Sequence, residues 1–340
     1  MTTTLPTLRG ELSAFLLEAL ACAPHAIAAP AVAEPADALA DDDLHLALYL
    51  CYELHYRGLP GVDDGWEWEP SLLALRRTLE DRFLAGLDEA LAGWEPPEAT
   101  AETMDLALRA IADADDAPSL SRHLQAQGTN EQLLEFLVQR SGYQLKEADP
   151  HTFAMPRLHG PPKSAFVEIQ SDEYGGGRPG RLHAELFAKT MRAVGLDDTY
   201  GAYLDVLPGD ILATVNLISL FGLHRSRRGA AVGHLAMVEM TSSVPSRRYA
   251  TALRRLGHDD EDATDFFDEH VEADAVHEAV AAVDMAGGLS RLEPELTADI
   301  LFGARALAEV EGRWASRVMD AWAAGESSLR APLPEPAAAV

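Results

Sequence analysis

Along this chain apolar residues return every three or four positions with charged residues between them, and the two-residue alternation of a strand is nearly absent. The pattern predicts helices over 10–28, 42–57, 71–92, 101–112, 130–147, 163–174, 181–194, 210–223, 228–241, 262–285 and 294–324. The breaks between them have a chemical basis: an Ala/Pro-rich stretch at 29–38, Gly58 with Pro60, Gly93 ahead of Glu95-Pro96-Pro97, a junction at 113–118, Asp149-Pro150, the loop HTFAMPRLHGPP, and GGGRPG at 175–180. Asn130, ahead of Glu131 and Leu133, reads as the cap of the helix it opens. No fixed-period repeat is present, so an all-α bundle is the expected architecture.

A length of 340 residues exceeds what one core usually organises. The expected division is an N-terminal helical extension at 1–116, a main helical domain at 117–330 and a loose tail at 331–340. Within the extension, Leu46, Leu50, Leu54, Leu72, Leu75, Leu79 and Phe83 form an apolar face that needs a cover, either the main domain or a second copy in a homodimer.

Composition narrows the function. A net charge of -28 with no offsetting basic run repels phosphate backbones and argues against nucleic acid as a partner. No apolar run approaches the roughly eighteen residues of a membrane span. The opening MTTTLPTLRGELSAFLLEAL has neither the basic start of a signal peptide nor the arginines of a transit peptide, so a cytoplasmic address is expected. Two cysteines, Cys22 and Cys51, supply neither a disulfide framework nor a four-thiolate site, leaving any metal to His, Asp and Glu.

Three segments carry candidate chemistry. In FFDEHVEADAVHEAV, at about 100° per residue, His270, Asp274 and His277 fall within about 60° of one another. Such a face suits iron or zinc, or is a solvated acidic surface with Asp268, Glu269, Glu272 and Glu278. In EIQSDEYGGGRPGRLHAELF, Glu173 ends one helix and His183 lies early in the next, and the glycines between them let the two side chains be aimed independently of helical spacing. His183 is either a ligand or a hydrogen-bonded core histidine. In HLAMVEMTSS, Glu239 sits among apolar neighbours, where a carboxylate needs a metal or a salt bridge to Arg225, Arg227 or Arg228.

Together these segments resemble the haem-oxygenase-like diiron oxidases and oxygenases, a group of iron-containing redox enzymes, over roughly residues 117–329. The most specific element is the His-x-x-x-Asp-x-x-His of His270, Asp274 and His277. The resemblance implies that Glu173 and His183 are the carboxylate and imidazole of the first core helical region, and that Glu239 is a bridging or terminal carboxylate. It further implies that Glu147 is an additional carboxylate used by N-oxygenating members, a place Glu168 or Asp172 could take instead. It implies a haem-oxygenase-like fold for 117–330, two irons, dioxygen as co-substrate, and a small-molecule substrate that is often an amine or amino acid but includes fatty acids. The implied reactions are N-oxygenation, oxidative C–C cleavage and desaturation. Glu173, His183, Glu239 and His270 would share the two irons with Asp274, His277 and Glu147.

Rival readings are weaker. A ferritin-like site needs Glu-x-x-His twice, and no histidine here has Glu three residues before it, although Asp274/His277 and Asp42/His45 give Asp-x-x-His. A haem pocket would not gather carboxylates around its histidine. GGGRPG lacks the Gly-Lys-Ser/Thr ending of a phosphate loop, and Ser242 and Ser243 lack the setting of a nucleophile. His45 and His55 read as part of an acidic amphipathic helix exposed to solvent, and Gly222, Gly229 and Gly233 beside His224 and His234 read as close helix packing. The expected function is O2-dependent oxidation of a small amine or amino-acid-like molecule. The competing class is a non-catalytic helical metal-binding or interaction protein.

Overall fold

The computed structural model describes residues 5–31 and 34–333, with the side chains of all of these except 272–276. Every regular element among them is helical, and none of their helices is long and apolar enough to cross a membrane. The first four helices are α1 (Glu11–Leu20), α2 (Asp42–Glu53), α3 (Pro70–Ala90) and α4 (Met104–Asp113). Then come α5 (Leu120–Ala126), α6 (Asn130–Gln144), the single turn α7 (Asp149–Thr152), α8 (Gly160–Glu173) and α9 (His183–Ala193). Next are α10 (Gly209–Leu223), α11 (Arg228–Thr241), α12 (Ser243–Arg255) and α13 (Glu261–Ala279). A π-helical stretch, Val280–Gly287, joins α13 to α14 (Gly288–Leu292), and α15 (Thr297–Ala323) closes the fold.

Most boundaries follow the pattern, and the departures have local causes. Helix α8 begins at Gly160 because Pro161 sits in its first turn, where a missing N–H costs nothing. Thr129, not Asn130, caps α6: its side chain accepts from Gln132 N, and the Gln132 side chain returns to the Thr129 backbone. Helices α5 and α12 lie in stretches not predicted as helical. Ser119 caps α5, and α12 is set off from α11 only by Ser242.

Helix α10 is the axis. Residues 209–222 are all buried, as befits a segment apolar on every side. It packs on α2, α6, α7, α11 and α15. Across it, α11 and α15 approach until backbones touch: a Cβ at Gly233 would lie 1.8 Å from the Ile300 carbonyl oxygen, and one at Gly303 would lie 2.1 Å from that of Ala230. Gly233 is therefore a packing residue, as expected, and Gly303 is its counterpart on α15.

The N-terminal helices share this core. Leu46, Leu50, Leu72, Leu75, Leu79 and Phe83 are buried within the one chain, so this apolar face is covered without a second copy. His45 is not a surface residue: it is fully buried, donates from Nε2 to the Ala38 carbonyl at 2.9 Å, and burial pushes its pKa down to about 4. Asn216 of α10 donates to the His45 carbonyl at 2.9 Å, and Tyr56 donates to Ser219 at 2.9 Å, which ties α2 to the axis. His55 is also largely covered, lying 3.1 Å from Glu67.

Two outcomes follow. Gly233→Ala should destabilise the fold by roughly 1–3 kcal/mol in thermal unfolding, because the methyl group meets backbone that cannot yield; an unchanged melting temperature would refute the close crossing. His45 is held neutral, so its contribution is fully present above pH 6.5 and is lost as pH falls toward 4. His45→Gln, compared with the wild type by denaturant unfolding, should flatten the loss of stability across that window.

Candidate metal centre

Five stretches of chain bring candidate ligands together at one end of the core. Glu173 is the last residue of α8, and His183 is the first of α9. Between them Gly175, Gly176 and Gly177 all take positive φ, at 65°, 60° and 72°, and a Cβ at Gly175 would lie 2.5 Å from Arg181 backbone. This is the turn that lets two helix ends face each other. Glu239 projects from α11, while His270 and His277 lie on one face of α13. Glu147 is on no helix: α6 ends at Gln144, and the carboxylate comes from the turn before α7.

The side chains form two groups that share a member. Glu147, Glu173, His183 and His270 offer ligand atoms all within 4.8 Å of one another, as do Glu173, Glu239 and His277, and every one of these residues is buried. His270 and His277 therefore share a helix face but serve different groups, separated by about 10 Å of helix rise. The remaining candidate of that face, Asp274, has its side chain outside the described residues. Two of the arginines considered as partners of Glu239 are engaged elsewhere: Arg227 pairs with Asp299, and Arg228 with Glu293. Glu168 is exposed on the far side of α8.

Hydrogen bonds outside the groups aim the imidazoles. His270 Nδ1–H donates to the Phe266 carbonyl at 2.7 Å, which turns Nε2 toward Glu147, 3.7 Å away. His277 Nε2–H donates to Asp172 Oδ2 at 2.9 Å and turns Nδ1 toward Glu239 Oε2 at 3.3 Å. Asp172 is thus a carboxylate that orients a histidine from behind, a role spacing alone does not reveal. His183 Nδ1 faces Glu173 Oε2 at 3.1 Å.

The electrostatics are those of charges forced together. Burial works against the Glu173 carboxylate, but His183, His270 and His277 outweigh it and hold its pKa at about 2. Burial raises that of Glu147. Burial opposes the charged form of His277, yet Glu239 and Asp172 raise its pKa to about 9, and Glu173 likewise raises that of His183. Glu147 Oε2, His183 Nδ1 and His277 Nδ1 are buried without a hydrogen bond. A divalent cation would satisfy all three, and carboxylate oxygen with imidazole nitrogen is the donor set of iron or zinc. The residues present fit a metal.

A cavity of about 390 Å³ adjoins both groups. Glu147, Glu173, Glu239 and His270 line one part of it, and Phe136, Tyr143, Phe187, Tyr249 and Phe266 are among the residues that line the rest. Arg140, also in the lining, is bound to Glu311 through two hydrogen bonds of 2.8 and 2.6 Å. Sequence reasoning missed the pair His151 and His234 in the same wall, whose Nε2 and Nδ1 lie 3.1 Å apart. Burial lowers the pKa of His151 to about 4 and that of His234 well below its ordinary value, so both stay neutral. No spacing signal joins them, since they meet only through the packing of α7 on α10 and α11.

Residues 134–312, more than half of the chain, match the sequence model of a family described as iron-containing redox enzyme. Among curated proteins, the nitrosourea synthase of Streptomyces achromogenes subsp. streptozoticus is 26% identical over 214 residues, which is 60% of this chain and 45% of that protein. The chain thus spans about half the length of the curated relative it matches.

Metal binding should release a proton from His277, so affinity for Fe(II) should rise with pH up to about 9. Asp172→Ala should weaken binding in the Glu239/His277 group about 10-fold or more while sparing the other group. Anaerobic calorimetry in buffers of differing ionisation enthalpy reads the first effect, and titration of the variant reads the second. Metal uptake without proton release, or a variant with wild-type affinity, would contradict this account of His277.

Proposed function

Because the chain belongs to the iron-containing redox enzymes and is an oxidoreductase, we propose that it holds two irons, one on each side of Glu173, and uses dioxygen to oxidise a small amine or amino-acid-like molecule. The observation that carries this reading is the sharing of Glu173 between two buried ligand groups. One iron would take Glu147, His183 and His270, the other Glu239 and His277, with Glu173 between them. Asp274, four residues after His270 and three before His277, is the further carboxylate proposed for the second. Iron, when bound there, supplies the redox chemistry that protein side chains lack.

The chain's own residues do the rest. Phe266 and Asp172 hold Nδ1–H of His270 and Nε2–H of His277, so that each ring would present its other nitrogen inward as a lone pair once that nitrogen is deprotonated. Phe136, Phe187 and Phe266 give the cavity an apolar side, which would limit water beside a bound substrate. Substrate class is supported by charge: the cavity holds several carboxylates, and its Arg140 is already neutralised by Glu311, which favours a neutral or cationic nitrogen compound over a free anion. The name nitrosourea synthase, borne by a relative, points to chemistry at nitrogen and supports the same choice.

The test is anaerobic loading with Fe(II), followed by rapid mixing with O2 in the presence of a panel of amines, amino acids and fatty acids. Two irons should bind per chain, and one amine-bearing compound should accelerate O2 consumption. His270→Ala and His277→Ala should each lower that rate on the order of 100-fold or more with the helical fold retained. Full loading with O2 uptake no faster than that of free Fe(II) would favour a metal-binding module instead, and acceleration by fatty acids alone would overturn the substrate class.

A further inference from the structure

Of the six grouped side chains, only Glu147 rests on no helix, so something other than a helical backbone must hold it. The turn that presents it ends at Ala148, whose φ of 74° is the only positive value at a non-glycine among the described residues. L residues avoid that conformation unless their surroundings impose it. The surroundings here come from the N-terminal helices together with Tyr200, in the segment after α9. Lys146, with its side chain 1% exposed, places Nζ 3.0 Å from Glu53 Oε2 at the end of α2, and the same carboxylate accepts from the Tyr200 hydroxyl at 2.7 and 2.8 Å. The ammonium also lies 4.6 and 4.5 Å from the ring centres of Tyr49 and Tyr56. On the other side of the turn, Arg57 donates to the Leu145 carbonyl at 2.9 Å while stacked over Tyr200.

We infer that Glu53 and Arg57 are positioning residues for Glu147: the extension clamps residues 145 and 146 and thereby completes the metal centre from outside the stretch that matches the family. The inference rests on the reading of Glu147 as a ligand. A buried ion pair is a poor source of stability but a good source of geometry, because either partner alone is so costly that the two cannot drift apart. Loss of the clamp therefore acts on the direction of Glu147, and only through it on the metal.

The experiment uses the full chain with Mn(II) as probe, measuring the number and affinity of sites by equilibrium dialysis and folding by circular dichroism. Glu147→Gln is the reference and should weaken one of two sites. Arg57→Ala, at an exposed position, and the paired change Glu53→Gln with Lys146→Met, which leaves no lone buried charge, should each weaken the same site by about 10-fold or more. Neither should add to the loss already caused by Glu147→Gln, and the site of Glu239 and His277 should keep its affinity. Arg57→Lys, which retains a donor for the Leu145 carbonyl, should restore much of the loss. Wild-type affinities in folded clamp variants, or losses that add fully to that of Glu147→Gln, would overturn the inference while leaving Glu147 a ligand. Should Glu147→Gln itself leave both sites unchanged, the ligand reading falls and the clamp with it. If the paired variant does not fold, Arg57→Ala alone decides.

Discussion

Three carboxylates and three imidazoles crowd into two overlapping groups in the interior of a helical protein, and the rest of the molecule is arranged to make that tolerable. Buried carboxylates at such separations repel, and burial adds the cost of lost hydration. The metal-free protein meets part of that cost with protonated histidines, as the raised pKa values of His183 and His277 and the depressed one of Glu173 indicate. A bound cation would meet it more fully. Glu147 Oε2, His183 Nδ1 and His277 Nδ1, buried without hydrogen bonds, mark where compensation is still owed.

Holding such a site requires a scaffold that gains its stability elsewhere. Helix α10, buried on every side, and the glycine-mediated crossing of α11 on α15 provide it. Half of the grouped side chains come from helix ends or turns, Glu173 at the end of α8, His183 at the start of α9 and Glu147 before α7, while Glu239 comes from α11 and His270 and His277 from α13, which passes into a π-helical stretch at Val280. A wider helical turn beside a functional residue is a recurrent arrangement, and here it lets the chain after His277 pack against α4, α8 and α11.

The cavity connects this site to its chemistry. Its walls mix aromatic and aliphatic side chains with carboxylates, its one arginine is internally neutralised, and its polar groups include the neutral His151 and His234. An uncharged or cationic nitrogen compound meets no unpaired positive charge there. The N-terminal helices, of which α2 covers α10, belong to the same hydrophobic core, and Glu53 and Arg57 reach the turn that carries Glu147.

Helical periodicity was enough to read the all-α fold, most helix limits, and the shared face of His270 and His277, because each depends only on neighbours within a turn or two. Composition excluded thiolate sites for the same kind of reason: it needs no geometry. The glycine run between Glu173 and His183 announced a break that frees the two side chains from helical spacing, since only glycine takes three successive positive φ values cheaply. Other features required the tertiary structure. Spacing cannot tell that His270 and His277 serve different ligand groups, that Glu173 belongs to both, or that Asp172 stands behind His277 rather than within the site. Nor can it bury His45, since an acidic helix reads as exposed until α10 is packed across it. In each case the partners lie tens to hundreds of residues apart, and contacts at that range are set by how whole helices pack, which local sequence pattern does not encode.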